Sequence, residues 1–363
     1  MVQYINDIDN ISQLTEEDKK ELKQVTQKYS FRSNTYYLSL INWDDPDDPI
    51  RRLILPSKDE LYDWGKLDPS NEKKHTVTRG VQHKYTSTVL ILLSNSCGGI
   101  CRYCFRKRIF QREQMEYLKD YEKAINYIKA HKEITNVLLT GGDPLTLSTG
   151  KLEKIISKLR KIKHVKIIRI GSKMIAFNPF RIINDKKLLK MISKYSNLER
   201  KIYIITHFTH PRELSKTALK AINLLFKAGA ILTNQAPLIN GVNSDSAVLK
   251  KLFQKLSYCG IPSYYVFQCR PSSGNRTYSM PVEKGYSIFK NACSQISGLA
   301  KRATYVMSHS TGKIEVLGKD NKNIYFKYRR SSRKQDSNRL IKAKRNKDAY
   351  WFDDYELIPG SIK

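Results

Sequence analysis

The chain has 363 residues, 40% of them apolar, and its 65 lysines and arginines against 34 acids give a formal charge of +31. This length and apolar share predict a globular chain of one large α/β domain or two ordinary ones, and six cysteines are too few for a disulfide scaffold. No run of eighteen uncharged apolar residues occurs, and the amino terminus lacks the layout of a secretory signal, so we expect a cytoplasmic protein with no membrane contact.

The positive charge admits two interpretations. The basic residues could face a polyanionic partner such as RNA, or they could lie on solvated helix faces, as in KLEKIISKLRKIKHVK. One dense basic run stands near the carboxyl end, at residues 319–347. We favour solvated helix faces and expect no nucleic-acid partner.

Residues 1–75 predict an extension of helices and loops before the main body. Thr15 with Asp18 three residues later has the spacing of a capping box, which predicts that a helix begins there. The stretch NWDDPDDP, residues 42–49, predicts an acidic loop because aspartate–proline pairs resist a continued helix.

From residue 86, short β-branched apolar runs alternate with segments of helical period. Six strand–helix units in series predict a parallel sheet with helices outside. The α/β fold that we predict is a partial (β/α) barrel of about six parallel strands over residues 76–315, and an open doubly wound sheet is the alternative. A basic extension that ends in the aromatic segment DAYWFDDYE would then occupy residues 316–363. The six runs are residues 88–94, 136–142, 165–172, 201–208, 230–238 and 263–269.

Polar and glycine positions gather at the ends of these runs. Three clustered cysteines follow the first run, GGDP the second, GSK the third and THFTHP the fourth. NQ lies within the fifth run, and QCR closes the sixth. Because the chemistry of a barrel sits at the carboxyl ends of its strands, we expect these residues to share one rim of the sheet.

The segment SNSCGGICRYCFRKR contains Cys97, Cys101 and Cys104 in a C-x3-C-x2-C spacing, with no fourth cysteine nearby. Three thiolates can hold three irons of a [4Fe–4S] cluster and leave the fourth iron open to a small ligand. An open coordination position distinguishes a reactive metal site from a structural one. A zinc site with a distant histidine as fourth ligand is the alternative that the spacing leaves open.

This spacing, with the aromatic Tyr103 just before the last cysteine, resembles the radical S-adenosylmethionine (SAM) superfamily. There the open iron is chelated by SAM, whose reductive cleavage gives a 5′-deoxyadenosyl radical that abstracts hydrogen. Gly141, Gly142 and Asp143 match the superfamily's glycine–glycine–acid motif, in which glycines allow close backbone approach and the acid takes the ammonium of SAM. The resemblance implies a [4Fe–4S] cluster and SAM as cofactors.

Further motifs resemble the lysine 2,3-aminomutase family over residues 75–315, in the same order and at similar spacing. They are CRYCFRKR, VLLTGGDPL, IIRIGSK, THFTHPRE, NQAPLINGVN and PSYYVFQC. The resemblance implies an isomerase that moves an α-amino group to Cβ and uses pyridoxal 5′-phosphate (PLP) as a third cofactor. Lys313 matches the family's Schiff-base lysine, although the family's run of glycines is here reduced to Gly312.

The same resemblance assigns supporting residues. Lys84 and Tyr85 lie where the family places residues that hold PLP, whereas Thr88 stands where the family commonly has an arginine. Arg106 matches the arginine that pairs with the substrate α-carboxylate, a bidentate contact for which a guanidinium is suited. The strand-end residues expected to contact SAM or the substrate are Ser172, His207 and Gln235.

Two positions predict the distal group of the substrate. Lysine-specific members hold the distal ammonium with two aspartates, and the matching residues here are Arg270 and Ser308. A lysine ammonium pointed at Arg270 would meet repulsion on the order of several kcal/mol in a low-dielectric pocket. Glutamate-specific relatives resemble this chain in having a basic residue at the first position. We therefore expect the small-molecule substrate to be glutamate or another free amino acid without a distal amine.

Other functions compete with this hypothesis. A radical SAM enzyme that modifies a macromolecule, either RNA or a protein lysine, would account for the basic charge, and lysine 2,3-aminomutase proper would keep the chemistry on another substrate. A non-catalytic iron–sulfur or zinc protein is a further class. The resemblance also implies an electron donor such as flavodoxin or ferredoxin and, because family members are commonly oligomeric, a homo-oligomer.

Overall fold

The N-terminal extension consists of short elements in the computed structural model, which describes residues 2–110 and 116–359. Helix α1 begins at the predicted capping box, where the Thr15 hydroxyl accepts from the Asp18 backbone N–H and the Asp18 carboxylate accepts from the Thr15 backbone N–H. Apolar side chains of the extension pack with Phe177 and Tyr278 of the main body. The bounds are β1 Tyr4–Ile5, α1 Glu16–Lys28, β2 Ser33–Asn34, α2 Thr35–Leu38 and α3 Pro49–Ile54.

Twelve strands form one sheet in which each strand lies beside its neighbours in sequence. Strands β5 to β11 are parallel, and antiparallel strands extend both edges. No pairing between the edge strands closes the sheet within the described residues. The bounds are β3 Thr76–Thr78, β4 Val81–Tyr85, β5 Thr88–Ser94, β6 Asn136–Gly141, β7 Ile167–Ser172, β8 Ile202–Thr206, β9 Ile231–Leu238, β10 Ser263–Gln268, β11 Thr304–His309, β12 Gly312–Lys319, β13 Asn323–Ser331 and β14 Leu340–Lys344.

The predicted partial barrel is confirmed. The six predicted runs correspond to β5 to β10, and β11 adds a seventh parallel strand. A doubly wound sheet reverses its strand order at a switch point, whereas here the order is sequential throughout, so that alternative is wrong.

Helices α4 to α11 connect the strands. Helix α9 illustrates the packing, because its buried residues recur at helical spacing and it ends just before Gly229, whose φ is +81°. Within residues 2–110 and 116–359, no helix has both the length and the apolarity that crossing a membrane requires. The bounds are α4 Tyr121–Ala130, α5 Thr149–Arg160, α6 Met174–Phe177, α7 Phe180–Ile183, α8 Lys186–Tyr195, α9 Lys216–Lys227, α10 Ser246–Tyr258 and α11 Val282–Ser294.

The carboxyl-terminal segment continues the sheet. Strands β11 and β12 form a hairpin whose two turn residues lie between His309 and Gly312, and β13 and β14 extend it antiparallel. The buried Ile324, Phe326 and Tyr328 of β13 alternate with Tyr325, Lys327 and Arg329. The boundary expected between residues 315 and 316 therefore falls inside β12, and the three-part division of the chain stays a prediction. The aromatic residues of the final segment that pack into the main core are Trp351, Phe352 and Tyr355.

Candidate active site

The loop after β5 carries the three clustered cysteines, all of which are free thiols. Burial raises the pKa of Cys101 to about 12, and burial together with the neighbouring thiols raises the pKa of Cys97. The N-terminal extension fixes this loop, since Asn34 Nδ2 donates to the Gly98 carbonyl at 2.8 Å and the Ile100 N–H donates to the Arg32 carbonyl at 2.9 Å. Three half-buried thiols on one anchored loop form the donor set that a cluster bound through three irons requires.

No group of three or more histidine, cysteine or acidic side chains is arranged around a single metal position in the part of the chain that the structure describes. This finding does not bear on a [4Fe–4S] cluster. Each cysteine of such a site binds a separate iron, so the three thiols need not surround one metal position.

The glycine–glycine–acid segment lies directly against the cysteine loop. The Gly142 N–H donates to the Ser94 carbonyl at 2.5 Å, and the Asp143 N–H donates to the Ser96 carbonyl at 2.7 Å. Gly141 has a φ of +127°, and a Cβ added at Gly142 would stand 2.3 Å from the Ser96 carbonyl oxygen. Both positions therefore require glycine for this approach of two backbones.

The Asp143 carboxylate is tied to the end of β7. It accepts from Ser172 Oγ at 2.9 Å and from the backbone N–H groups of Lys173 and Met174 at 2.8 and 3.1 Å, and its other oxygen accepts from the Leu145 N–H at 2.9 Å. Burial raises its pKa, while these donors oppose that effect. Asp143 thus joins two strand ends, and its predicted contact with the ammonium of SAM stays a prediction.

His207, the residue after β8, lies beside Gln235 within β9, and Gln235 Nε2 stands 3.3 Å from His207 Nε2. Burial lowers the pKa of His207 to about 3, and the positive charges of Lys173 and Arg106 add to the effect, so the imidazole is neutral at physiological pH. Lys173 reaches the same place, because its Nζ donates to the His207 carbonyl at 2.7 Å. His207 and Gln235 therefore lie together, as the predicted shared rim of the sheet requires.

Lys313 lies at the start of β12 and is the cross-strand partner of Ser308 in β11. Ser308 is half-buried. Lys313 Nζ stands 4.1 Å from the ring centroid of Tyr265 and 4.9 Å from that of Phe267. Burial lowers the pKa of Lys313 well below the usual lysine value, and four further cations lower it in the same direction. These cations are Arg169, Arg270, Arg330 and Lys84.

Lys84 and Tyr85 face the same space from β4. Lys84 Nζ donates to the His309 carbonyl at 2.5 Å, and burial with the nearby Arg270 charge lowers its pKa to about 8. Burial raises the pKa of Tyr85 to about 12. A ring of cations around a lysine amine fits a ligand that combines an aldehyde with a phosphate.

Arg106 and Arg270 both lie close to one aromatic ring. Their guanidinium carbons stand 4.7 and 3.6 Å from the ring centroid of Phe105. Arg106 is paired with Glu72, which accepts from its Nη2 at 2.6 Å and from its Nε at 3.1 Å. Arg270 Nη1 is buried and has no hydrogen-bond partner among the described residues. Burial lowers the pKa of Arg270 to about 10.

Sequence reasoning missed three charged residues of this site: Glu72, Arg169 and Arg330. Arg169 had a readable signal, because a single arginine inside the buried strand IIRIGS is unusual for a parallel sheet. Glu72 and Arg330 had none, since each reaches the site by a contact between distant parts of the chain.

The fold and the site define a radical SAM enzyme, and the model of the Radical SAM superfamily matches residues 91–251. Three relatives show which family within this superfamily the chain is similar to. An Aquifex aeolicus protein provisionally named an L-lysine 2,3-aminomutase is 51% identical, over 100% of this chain and 97% of its own length. The glutamate 2,3-aminomutase of Clostridioides difficile is 35% identical over 85% of this chain and 72% of its own. The L-lysine 2,3-aminomutase of Clostridium subterminale is 35% identical over 82% and 71%.

The chain belongs to the lysine 2,3-aminomutase family. It is accordingly an isomerase of the radical SAM aminomutase type, with a [4Fe–4S] cluster, SAM and PLP as cofactors. The residues present fit all three groups: three half-buried thiols on one loop, a glycine pair packed against that loop, and a lysine near four other cations.

Proposed function

We propose that this enzyme moves the α-amino group of a free amino acid to Cβ, and that the distal group of this substrate is a carboxylate or a neutral polar group. Glutamate is the first candidate. The supporting observation is Arg270, whose Nη1 is buried, lacks a partner among the described residues, and acts electrostatically on Lys313. The Clostridioides difficile glutamate enzyme and the Clostridium subterminale lysine enzyme are equally similar to this chain, at 35% identity, so these two relatives do not distinguish the substrates.

The charges around Arg270 favour a substrate with an acidic distal group. Glu72 is the acid whose charge raises the pKa of Arg270 and of Lys84. It is already paired with Arg106 and Arg108. At an effective dielectric of roughly 20, two like charges about 4 Å apart repel by about 4 kcal/mol, and opposite charges attract by as much. A distal ammonium beside Arg270 would be disfavoured by this amount, whereas a distal carboxylate would also satisfy the buried N–H.

Arg106 is the proposed partner of the substrate α-carboxylate. Glu72 engages its Nε and Nη2, whereas its Nη1 makes one long contact, 3.5 Å to Thr140 Oγ1. The pairing therefore fixes the plane of the guanidinium and leaves one edge for the substrate. Thr140 lies on β6 immediately before the glycine pair, which places this edge beside the proposed SAM site.

The remaining assignments extend this proposal. Lys313 would hold PLP, with Lys84 and Tyr85 beside it, and the cysteines would hold the cluster. When bound, the cluster and SAM supply a radical that abstracts hydrogen, and PLP supplies delocalisation, while the protein orients the reacting atoms and excludes water. Cluster reduction calls for an external donor, for which we propose a flavodoxin or ferredoxin, and we propose a homo-oligomer. The residues proposed for SAM contact are Tyr103, Gly141, Gly142, Asp143, Ser172, His207 and Gln235.

A product screen with the reconstituted enzyme tests the proposal. SAM, PLP and dithionite are supplied, the twenty amino acids are offered separately, and β-amino isomers are measured by mass spectrometry. We expect an isomer from glutamate or another amino acid without a distal amine. An isomer from lysine alone would overturn the substrate assignment, and 5′-deoxyadenosine without any isomer would favour a macromolecular substrate.

The variant Arg270→Asp tests the role of the buried guanidinium. We expect it to lower kcat/KM for glutamate by at least about a hundredfold, because truncating one partner of a buried charge pair removes several kcal/mol. Arg302→Asp, at an exposed position, is the matched control and should leave kcat/KM unchanged. Wild-type specificity in Arg270→Asp would show that another residue recognises the distal group.

A further inference from the structure

Arg330 lies in β13, and its guanidinium reaches the connection between β4 and β5. Its Nη2 donates to Ser87 Oγ and Thr88 Oγ1, both at 3.2 Å, and its guanidinium carbon stands 4.4 Å from the ring centroid of Tyr85. Hydroxyl groups are therefore its hydrogen-bonding partners, and none of these contacts neutralises its charge.

Nearby arginines of the same segment are neutralised. Arg329 pairs with Glu315 at 3.0 Å, and Arg339 pairs with Asp336 at 3.3 Å. Arg330 makes no such ion pair with a carboxylate in residues 2–110 and 116–359. It also lowers the pKa of the Lys313 amine. The charge of Arg330 therefore acts on Lys313 and is balanced by no carboxylate within those residues.

The register of the sheet makes this arrangement specific. Arg330 is the direct cross-strand partner of Lys313, and the register shifts at the next position of β12. Like charges directly opposite each other in an antiparallel pair are destabilising, and irregularities of this kind re-aim side chains beside active sites. The approach of the two strands also depends on Gly312, because a Cβ there would stand 2.2 Å from the Arg330 carbonyl oxygen.

We propose that Arg330 binds the phosphate group of PLP. The guanidinium fork matches phosphate geometry and stays charged at all physiological pH values, and an anion between Arg330 and Lys313 would relieve their repulsion. Thr88 and Ser87 then position the guanidinium, and Lys84 adds a second cation from β4. The inference rests on the proposed assignment of Lys313 as the Schiff-base residue.

The test compares two aldehydes, PLP and pyridoxal, which lacks the phosphate. Each is titrated into cluster-reconstituted enzyme without bound PLP, and Schiff-base absorbance gives the affinity. Arg330→Gln should weaken PLP binding by about ten- to a hundredfold and leave pyridoxal binding unchanged. Arg339→Gln, which removes an exposed and paired arginine, should change neither affinity.

Two further variants separate charge from folding. Arg330→Lys keeps a cation and should retain most of the PLP affinity. Adding Thr88→Arg to Arg330→Gln places a guanidinium where Thr88 Oγ1 now lies 3.2 Å from Arg330 Nη2, and should restore part of the preference for PLP over pyridoxal.

The outcomes distinguish the two proposals. Equal losses for PLP and pyridoxal in Arg330→Gln, or unchanged PLP affinity, would overturn the phosphate role while leaving Lys313 intact. Borohydride reduction followed by peptide mass spectrometry locates the modified lysine. Trapping at a lysine other than Lys313 would overturn the Schiff-base assignment itself and the phosphate role with it.

Discussion

Replacing Lys313 by methionine should stabilise the enzyme in the absence of PLP. The Lys313 amine is buried among four other cations, and both effects lower its pKa well below the usual 10.5. A lysine whose pKa is depressed in the folded state reduces stability at every pH below its unfolded value. Methionine has a similar length and carries no charge, so it should remove this effect and keep the packing against Tyr265 and Phe267.

The size of the gain has an upper bound. If the folded protein holds Lys313 neutral at pH 7.5, releasing a proton about three units below the usual pKa costs about 4 kcal/mol. If the amine keeps its charge, two aromatic contacts of roughly 0.5–2 kcal/mol each offset part of the repulsion. We therefore expect Lys313→Met to raise the free energy of unfolding by about 1–4 kcal/mol at pH 7.5.

The pH dependence gives the prediction its signature. The unfavourable contribution of Lys313 is absent above pH 10.5, grows as the pH falls towards the folded-state pKa, and is constant below that pKa. The difference between variant and wild type should accordingly be larger at neutral pH than at pH 9 and should vanish as the pH rises past 10.5. Urea unfolding of the PLP-free, cluster-containing enzyme at several pH values measures it.

Lys220→Met provides the control, because Lys220 is exposed on α9. The free energy of unfolding of Lys220→Met should stay within about 0.5 kcal/mol of that of wild type at every pH. A Lys313→Met variant that unfolds at lower urea than wild type would refute the reasoning, since it would mean that the ring contacts outweigh burial and like-charge repulsion. A gain that does not vary with pH would refute the electrostatic origin.

Two other predictions concern residues that hold the site together. Glu72→Gln should lower the free energy of unfolding at pH 7 by about 3–5 kcal/mol, because it leaves two buried arginines short of their carboxylate; Glu122→Gln, which breaks an exposed ion pair, should lower it by no more than about 1 kcal/mol, and equal effects in urea unfolding would contradict this. Gly141→Ala should abolish calorimetric SAM binding, since its φ is +127° and the new Cβ would stand 2.4 Å from the Ser94 carbonyl oxygen; Gly150→Ala, with open space around it, should bind SAM normally.

The parallel part of the fold was predictable because each strand and helix there carries its own local pattern. The β-branched runs became β5 to β10, and the rule that chemistry follows strand ends brought Asp143 and Ser172 together, and His207 and Gln235. The capping box of α1 was equally local. These features depend on residues a few positions apart, or on the known geometry of a parallel sheet.

The antiparallel edge was less predictable for a physical reason. In β13 the inward residues alternate with Tyr325, Lys327 and Arg329, and the surrounding segment is rich in lysine and arginine, so it has the composition of a solvated basic tail and the period of a strand. The charged side chains of the site also form hydrogen bonds with residues that are distant in sequence. Arg330 donates to Thr88, 242 positions away, and Lys84 donates to His309, 225 positions away. No local pattern specifies such pairs, and the cavity's charge balance depends on them.

The hairpin that carries Lys313 would also set when the proposed cofactor site can form during synthesis. The seven parallel strands pair in the order in which the ribosome makes them, so the barrel can assemble progressively from β5 to β11. Lys313 and its cross-strand partner Arg330 come from the last part of the chain, and β12 is an unpaired edge until β13 has been made. With Lys313 and Arg330 in their proposed roles, capture of PLP would await near-completion of the polypeptide, and an interrupted chain that already contains all three clustered cysteines would still lack these two residues of the proposed cofactor site.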